Sequence, residues 1–267
     1  MGDATDATGA DGQTPSTGIL ASQLQEGVNE LERPADGLAL SGLSAGLDIG
    51  FGPLLMAVVA TLAAGVWGEP TLELALANAY AVGFLFVVIG RSELFTEHTT
   101  LAVLPVLDGR ASVRSLLRLW GVVFGANVAG AAAFAGIAVV VAPAYGIADA
   151  AAFEAVATPL VAHDSSVLFA GAVLAGWLMG LLSWLVAAAQ ETVSRALFVW
   201  LVAATIGFTH LPHCVAGSVE VLMGVFTGVV EPSAYARFLV WSTAGNVLGG
   251  VVFVSLLKYG HVVRGGD

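Results

Sequence analysis

Charge is scarce in this 267-residue chain: Asp, Glu, Lys and Arg make up 11% of it, while 57% is hydrophobic. A soluble domain carries about a quarter charged residues, so this chain cannot cover itself with a water-facing surface, and lipid must cover most of it. Cysteine is nearly absent. Cys214, standing alone, excludes an intrachain disulfide and a thiolate cluster. Lysine is reduced to Lys258 beside eight arginines, and the formal net charge is −11. That balance argues against nucleic acid as a partner. An acid-rich, Lys-poor chain also points to a high-salt cytoplasm, where a strongly hydrated surface stays soluble. A phosphate-binding Gly-rich loop, a Gly-x-Ser-x-Gly and a His-Glu-x-x-His are all missing, so no enzyme is expected.

What the sequence has in plenty is long apolar runs. Six are long enough to cross a bilayer, near 42–66, 72–106, 115–142, 166–189, 195–229 and 237–259; a helical crossing takes about 20 residues. The expected fold is an all-α integral membrane protein of six transmembrane helices, a channel domain over 37–262. The second and fifth runs exceed one plain span. Both are interrupted, by Gly90-Arg-Ser-Glu-Leu-Phe-Thr-Glu-His98 and by Gly207-Phe-Thr-His-Leu-Pro-His-Cys214. Gly and Pro break helices there, so each run reads as half-helix, loop, half-helix. Residues 1–36 hold seven acids against Arg33 and read as an acidic, disordered or loosely docked tail. Residues 263–267 form a short C-terminal tail.

Basic residues give the orientation. Arg33, Arg110, Arg114, Arg118, Arg195, Lys258 and Arg264 fall on one side of a six-span arrangement and only Arg237 on the other. Both termini are therefore expected in the cytoplasm of a multi-pass cell-membrane protein. The halves also look alike. Gly125-Ala-Asn127-Val-Ala-Gly130 matches Gly245-Asn246-Val-Leu-Gly249, with Asn127 and Asn246 119 residues apart; Gly90 and Gly207 are 117 apart. A duplication of three spans must invert the second copy, and inverted repeats with broken helices near mid-membrane are a transport architecture.

The breaks hold most of the intramembrane polarity. His213 is the leading candidate, because a helix break exposes N–H donors and a positive dipole end to an anion, and imidazole adds a donor, a charge or a proton. Thr96 lies 117 residues before it, the Gly offset, and its hydroxyl is placed to fix the imidazole. Leu94 and Phe95 suit a narrow dry gate. Asn127 and Asn246 are expected to brace the breaks or to bond helix to helix. Arg91, Glu93, Glu97 and His98 read as an internal ion-pair network, since buried charges need partners, or else as a vestibule that screens or relays ions; Glu220 is expected to join the network, and Asp48 to join it or to sit at the cytoplasmic mouth. His210, His213 and Cys214 form His-x-x-His-Cys, but zinc takes three or four ligands and no second Cys exists. No metal or cofactor is expected.

These residues resemble the formate/nitrite transporter family. Ser92-Glu-Leu-Phe-Thr96 is similar to that family's Leu-Phe-Thr loop; Gly207-Phe-Thr-His210 with His213-Cys-Val-Ala216 resembles its fifth-helix loop; Ala45-Gly-Leu-Asp-Ile-Gly50 and the two Asn motifs fit its first, third and sixth helices. Each motif is loose alone, but six in order are specific. The resemblance implies an aquaporin-like protomer of two inverted three-helix repeats and a homopentamer with one pore per protomer. It implies small weak-acid anions such as formate, nitrite and hydrosulfide as substrate, moved with or without a proton past a central histidine between two apolar constrictions. Leu211-Pro212-His213 looks like an insertion, so His210 and His213 both stand as the central histidine, with His213 preferred. The charged cluster is heavier than in typical formate channels, which marks a divergent branch, and the acid-rich, Lys-poor composition points to a haloarchaeal type. A water or neutral-solute pore is the alternative, and a non-conducting membrane scaffold a third reading.

Overall fold

The structure, a computed structural model, describes residues 14–63 and 65–265. The first expectation to be revised is the acidic tail. Its first 13 residues lie outside the described residues, but Ser16–Glu32 forms helix α1. Ile19, Leu20, Gln23, Leu24, Gly27 and Leu31 are its buried positions, a helical spacing that the acids between them conceal. Gly27 lets α1 lie directly on the Leu101 carbonyl and Pro105, where a Cβ would collide. Pro34 ends the helix, because the residue before a proline avoids the α region; Arg33 has ψ 145°.

Helices α2 (Ala35–Asp48) and α3 (Phe51–Ala63) follow with only a two-residue turn between them. Helix α4 (Glu69–Gly90) ends where Arg91 takes a left-handed φ of 58°. Short turns α5 (Phe95–His98) and α6 (Leu104–Leu107) lead to α7 (Val113–Ala144), which Ser112 caps by accepting the Ser115 N–H. The segment 143–165, between the third and fourth apolar runs, contains α8 (Ala150–Val161), capped by Asp149, which accepts the Ala152 N–H at 3.0 Å. Then come α9 (Ser165–Ala188), α10 (Thr192–Phe208), α11 (Ala216–Phe226) and α12 (Pro232–Leu248), a π-helical segment Gly249–Leu256, and α13 (Leu257–Gly265).

Among the described residues five helical stretches are long and apolar enough to cross a membrane: Ala35–Ala63, Glu69–Gly90, Val113–Ala144, Ser165–Ala188 and Pro232–Gly265. The expected run 195–229 appears as two shorter apolar helices, α10 and α11, with non-helical chain between them. The expected run 72–106 is regular helix only as far as Gly90.

Two close helix pairs organise the bundle, α2 against α7 and α9 against α12. In each, a glycine accepts the partner's backbone. Gly46 lies on the Asn127 carbonyl and Gly176 on the Asn246 carbonyl, so near that any Cβ would overlap the oxygen. Such contact between helix backbones is the means by which helices associate where lipid removes the hydrophobic drive.

Candidate pore site

The chain that interrupts the helices has to satisfy its backbone groups without water. Asn127 of α7 does this for 91–94. Its Nδ2 donates to the carbonyls of Gly42 (2.8 Å) and Glu93 (2.9 Å), and its Oδ1 accepts the Phe95 N–H (2.8 Å). Asn246 of α12 does the same for 209–215: Nδ2 donates to Ala172 O (2.8 Å) and Pro212 O (2.9 Å), and Oδ1 accepts the Cys214 N–H (2.8 Å). Both asparagines have no solvent exposure. Phe95 and Cys214, Glu93 and Pro212, and the two asparagines are each 119 residues apart. The shared register is therefore 119, and the 117 that links Thr96 to His213 does not join matching positions. His213 matches Leu94, and Thr96 matches Val215.

Thr96 and His213 nevertheless meet. Thr96 Oγ1 lies 2.8 Å from His213 Nε2, and both residues have no exposure. The backbone N–H groups of Val215 and Ala216, at 3.3 and 3.1 Å, donate to His213 Nδ1. Nδ1 is then an acceptor and bears no proton, so the neutral ring carries its proton on Nε2 and donates it to Thr96 Oγ1. The Thr96 hydroxyl proton is left uncommitted among the described residues. Phe84 sets its ring edge-on to the imidazole, with centroids 5.1 Å apart. Phe84 gave no signal in the sequence beyond being one apolar residue in a long run. Leu94 is buried, whereas the Phe95 ring packs onto α7 against Phe124 (4.9 Å) and Trp120 (5.9 Å).

His210 is elsewhere. It has φ 48°, is about one-third exposed, and its Nε2 lies 3.0 Å from Glu73 Oε2 near the start of α4. At about 1.5 Å per residue, Glu73 is about 16 Å along α4 from Phe84. The two histidines thus sit at different depths of the bundle. Both ring nitrogens of His213 are engaged and His210 faces Glu73, so His210, His213 and Cys214 do not converge as a metal set.

The far end of α4 opens into a polar cavity of about 570 Å³, roofed by α1. The expected ion-pair network lies here with different members. Arg33 Nη1 pairs with Glu30 (2.6 Å) and Glu93 (2.5 Å), and Glu93 also meets His98 Nε2 (2.5 Å). Arg91 and Glu97 line the cavity without an ion pair among the described residues. Asp48 accepts from Ser44 (3.0 Å) instead of joining, and Glu220 is on the other side, near Tyr80. The guanidinium came from the supposed tail, where sequence reading had no reason to look. Burial, with Glu93 beside it, pushes the Glu30 carboxyl up from its ordinary value against the pull of Arg33. Glu30, Glu93 and His98 also bring three ligand atoms within 4.8 Å of one another, but both carboxylates are already paired with the Arg33 guanidinium.

Comparison with known proteins settles the family. The sequence profile described as Formate/nitrite transporter matches residues 17–260. The chain belongs to the formate/nitrite transporter family. Among curated relatives, the inner membrane protein YfdC of Escherichia coli (strain K12) is 35% identical over 243 residues, covering 89% of this chain and 76% of that one. A probable formate transporter of Methanothermobacter thermautotrophicus is 30% identical over 80% of this chain and 85% of its own length. Among solved structures, an FNT family ion channel superposes with a TM-score of 0.81 at 22% identity, over 92% of this chain and 99% of that one. A pentameric formate channel with formate bound gives 0.72 at 23% identity, over 86% and 98%. The fold is that of these channels, and formate/nitrite transporters are transport proteins of membranes, not enzymes. The water-pore alternative is not favoured by this membership.

Proposed function

We propose that the chain forms a pore for small monovalent weak-acid anions, with formate and nitrite as the substrates to test first, and that His213 and Thr96 form its centre. Six spans in two inverted repeats carry it, the second and fifth interrupted at 91–94 and 209–215. The matching hydrogen bonds of Asn127 and Asn246 support the repeat. The solved relative described as a pentameric formate channel with formate bound supports a homopentamer and an anionic substrate here too. The arginine bias supports cytoplasmic termini, with α1 over the inner mouth.

The observation that carries this reading is the fully buried Thr96–His213 hydrogen bond, set against Phe84 of α4. In a dry constriction an unpaired anion costs several kcal/mol. The relay Nε2–H to Oγ1, with the Oγ1–H left over, presents one oriented donor to an anion at the place where Leu94 and Phe84 exclude water. The imidazole acts as a donor through Thr96, polarising its hydroxyl, in place of lending a proton. Protonating Nδ1 would set N–H against the N–H groups of Val215 and Ala216.

Purified protein in liposomes, offered radiolabelled formate, nitrite and acetate, with hydrosulfide followed by a sulfide probe, tests the function. Uptake of at least one of these well above protein-free vesicles is expected. Uptake of none, whether or not the vesicles swell faster in water, would refute it.

A further inference from the structure

If His213 has no proton to lend, a proton that accompanies the anion needs another source, and the other end of α4 offers one. A small pocket there is lined by Met56, Tyr80, Leu160, Gly207, His210 and Glu220. Glu220 is only 4% exposed and has neither a hydrogen bond nor an ion pair among the described residues. It sits on α11 one turn beyond Ala216, whose N–H holds His213 Nδ1. Tyr80 and Phe84 bridge the pocket to the imidazole, with ring centroids 5.1 Å apart at each step.

Among the described residues no cation pairs with this carboxyl. Helix α4 presents Tyr80 to the pocket, and the 209–215 segment presents His210, whose Nε2 is taken by Glu73. Helices α3 and α8 present Met56 and Leu160. Of the arginines on the other helices packed against α11, Arg118 of α7 is spent on the carbonyls of Leu31 and Arg33, and Arg237 of α12 on those of Val161 and His163. Arg114 of α7 stands exposed near that helix's start, far from the pocket. An ionised carboxylate here would be buried without a partner and would repel every arriving anion. A carboxyl that holds a proton does neither.

We propose that Glu220 supplies the proton that travels with the anion, an assignment that rests on the weak-acid pore reading above. The Glu220 O–H bond breaks as an O–H bond forms on the weak-acid anion, and the negative charge passes from the anion to Glu220. The neutral acid crosses the apolar wall, the Thr96 hydroxyl holds the anion where the acid ionises again beyond it, and the proton passes to water in the polar cavity under α1. Glu220 recovers a proton from water that enters past His210. One proton and one anion cross per cycle.

The test is radiolabelled formate uptake into proteoliposomes at pH 5, 6, 7 and 8, with an entrapped pH dye to count protons. Wild type should take up one proton per formate and speed up as pH falls. Glu220→Gln, which keeps the shape of the protonated side chain, should slow formate at least tenfold and flatten the pH profile. Glu220→Asp should keep coupled uptake with a displaced profile. A Glu220→Gln protein with the wild-type profile and proton count would overturn the proposal. If Glu220→Gln fails to reach the membrane, Glu220→Asp decides: a displaced profile supports the assignment and an unmoved one refutes it. Wild-type protein that moves neither formate nor nitrite would instead overturn the pore reading, and this assignment with it.

Discussion

Replacing Thr96 by Val removes one oxygen from the centre and leaves the β-branched shape. Two separable losses follow. The His213 Nε2–H loses its acceptor at a site with no solvent exposure, and a buried donor left without a partner costs about 1–3 kcal/mol of stability. The anion loses the hydroxyl donor, and a hydrogen bond to a charged group contributes about 1.5–3 kcal/mol. At tenfold for each 1.4 kcal/mol, formate uptake should fall by about 10- to 150-fold. Thr96→Ser, which keeps the oxygen, should restore most of it. The assay is initial-rate uptake of radiolabelled formate into proteoliposomes, normalised to intact oligomer. A folded Thr96→Val protein that transports within about twofold of wild type would show that no hydroxyl touches the anion, and the centre would have to be sought elsewhere.

Asn246→Ala strands the Ala172 and Pro212 carbonyls and the Cys214 N–H together; with about 1–3 kcal/mol for each, a loss of about 3–5 kcal/mol is expected, visible as a lower melting temperature in detergent, and a change of under about 1 kcal/mol would refute the bracing role. Glu30 has a raised value when α1 is docked, so proton uptake favours docking: its contribution is present at low pH and is lost as pH rises through that raised value. Amide exchange in α1, corrected for intrinsic rates, should slow from pH 7 to 5, and Glu30→Gln should remove part of that dependence; a variant with the wild-type dependence would acquit Glu30. Single cysteines at Ser112 and Ala150, in a Cys214→Ala background, should be labelled from the cytoplasmic and the outer side respectively, and labelling of position 112 from outside would reverse the topology.

The long apolar helices were legible in the sequence because apolar length is a local property; α8, apolar but only 12 residues long, was not. The bracing position of the asparagines was legible too, since an amide in a small-residue helix face has little else to bond. The docking of α1 was not legible: its apolar stripe of Leu20, Leu24 and Leu31 is narrow, and the acids that dominate its composition face water or the cavity. The partner of Glu93 was equally hidden. Arg91 is the near neighbour in sequence, but its left-handed φ turns the chain at the end of α4, and Arg33, 60 residues away, supplies the guanidinium. Phe84 and Tyr80 were invisible because one aromatic in an apolar helix looks like any other until the chain around it folds.

The two-residue slip between the registers explains the chemistry of the centre. On the inverted-repeat reading, an operation that carries Phe95 onto Cys214 carries Thr96 onto Val215 and Leu94 onto His213. The contact of Thr96 with His213 then has a mate, Leu94 with Val215, and both of those residues are buried with no exposure in one core cluster. A symmetric scaffold therefore presents a polar pair on one side of the axis and an apolar pair on the other. Had the register been 117, Thr96 and His213 would be mates of each other and no apolar pair would be required. A weak-acid anion needs both surfaces at once: one donor to hold its charge, and a dry wall that makes the neutral form the cheaper species to pass. Two inverted copies of either half would instead give two mixed pairs, Thr with Leu twice or Val with His twice. Divergence at 94, 96, 213 and 215 is what lets one symmetric frame hold one of each.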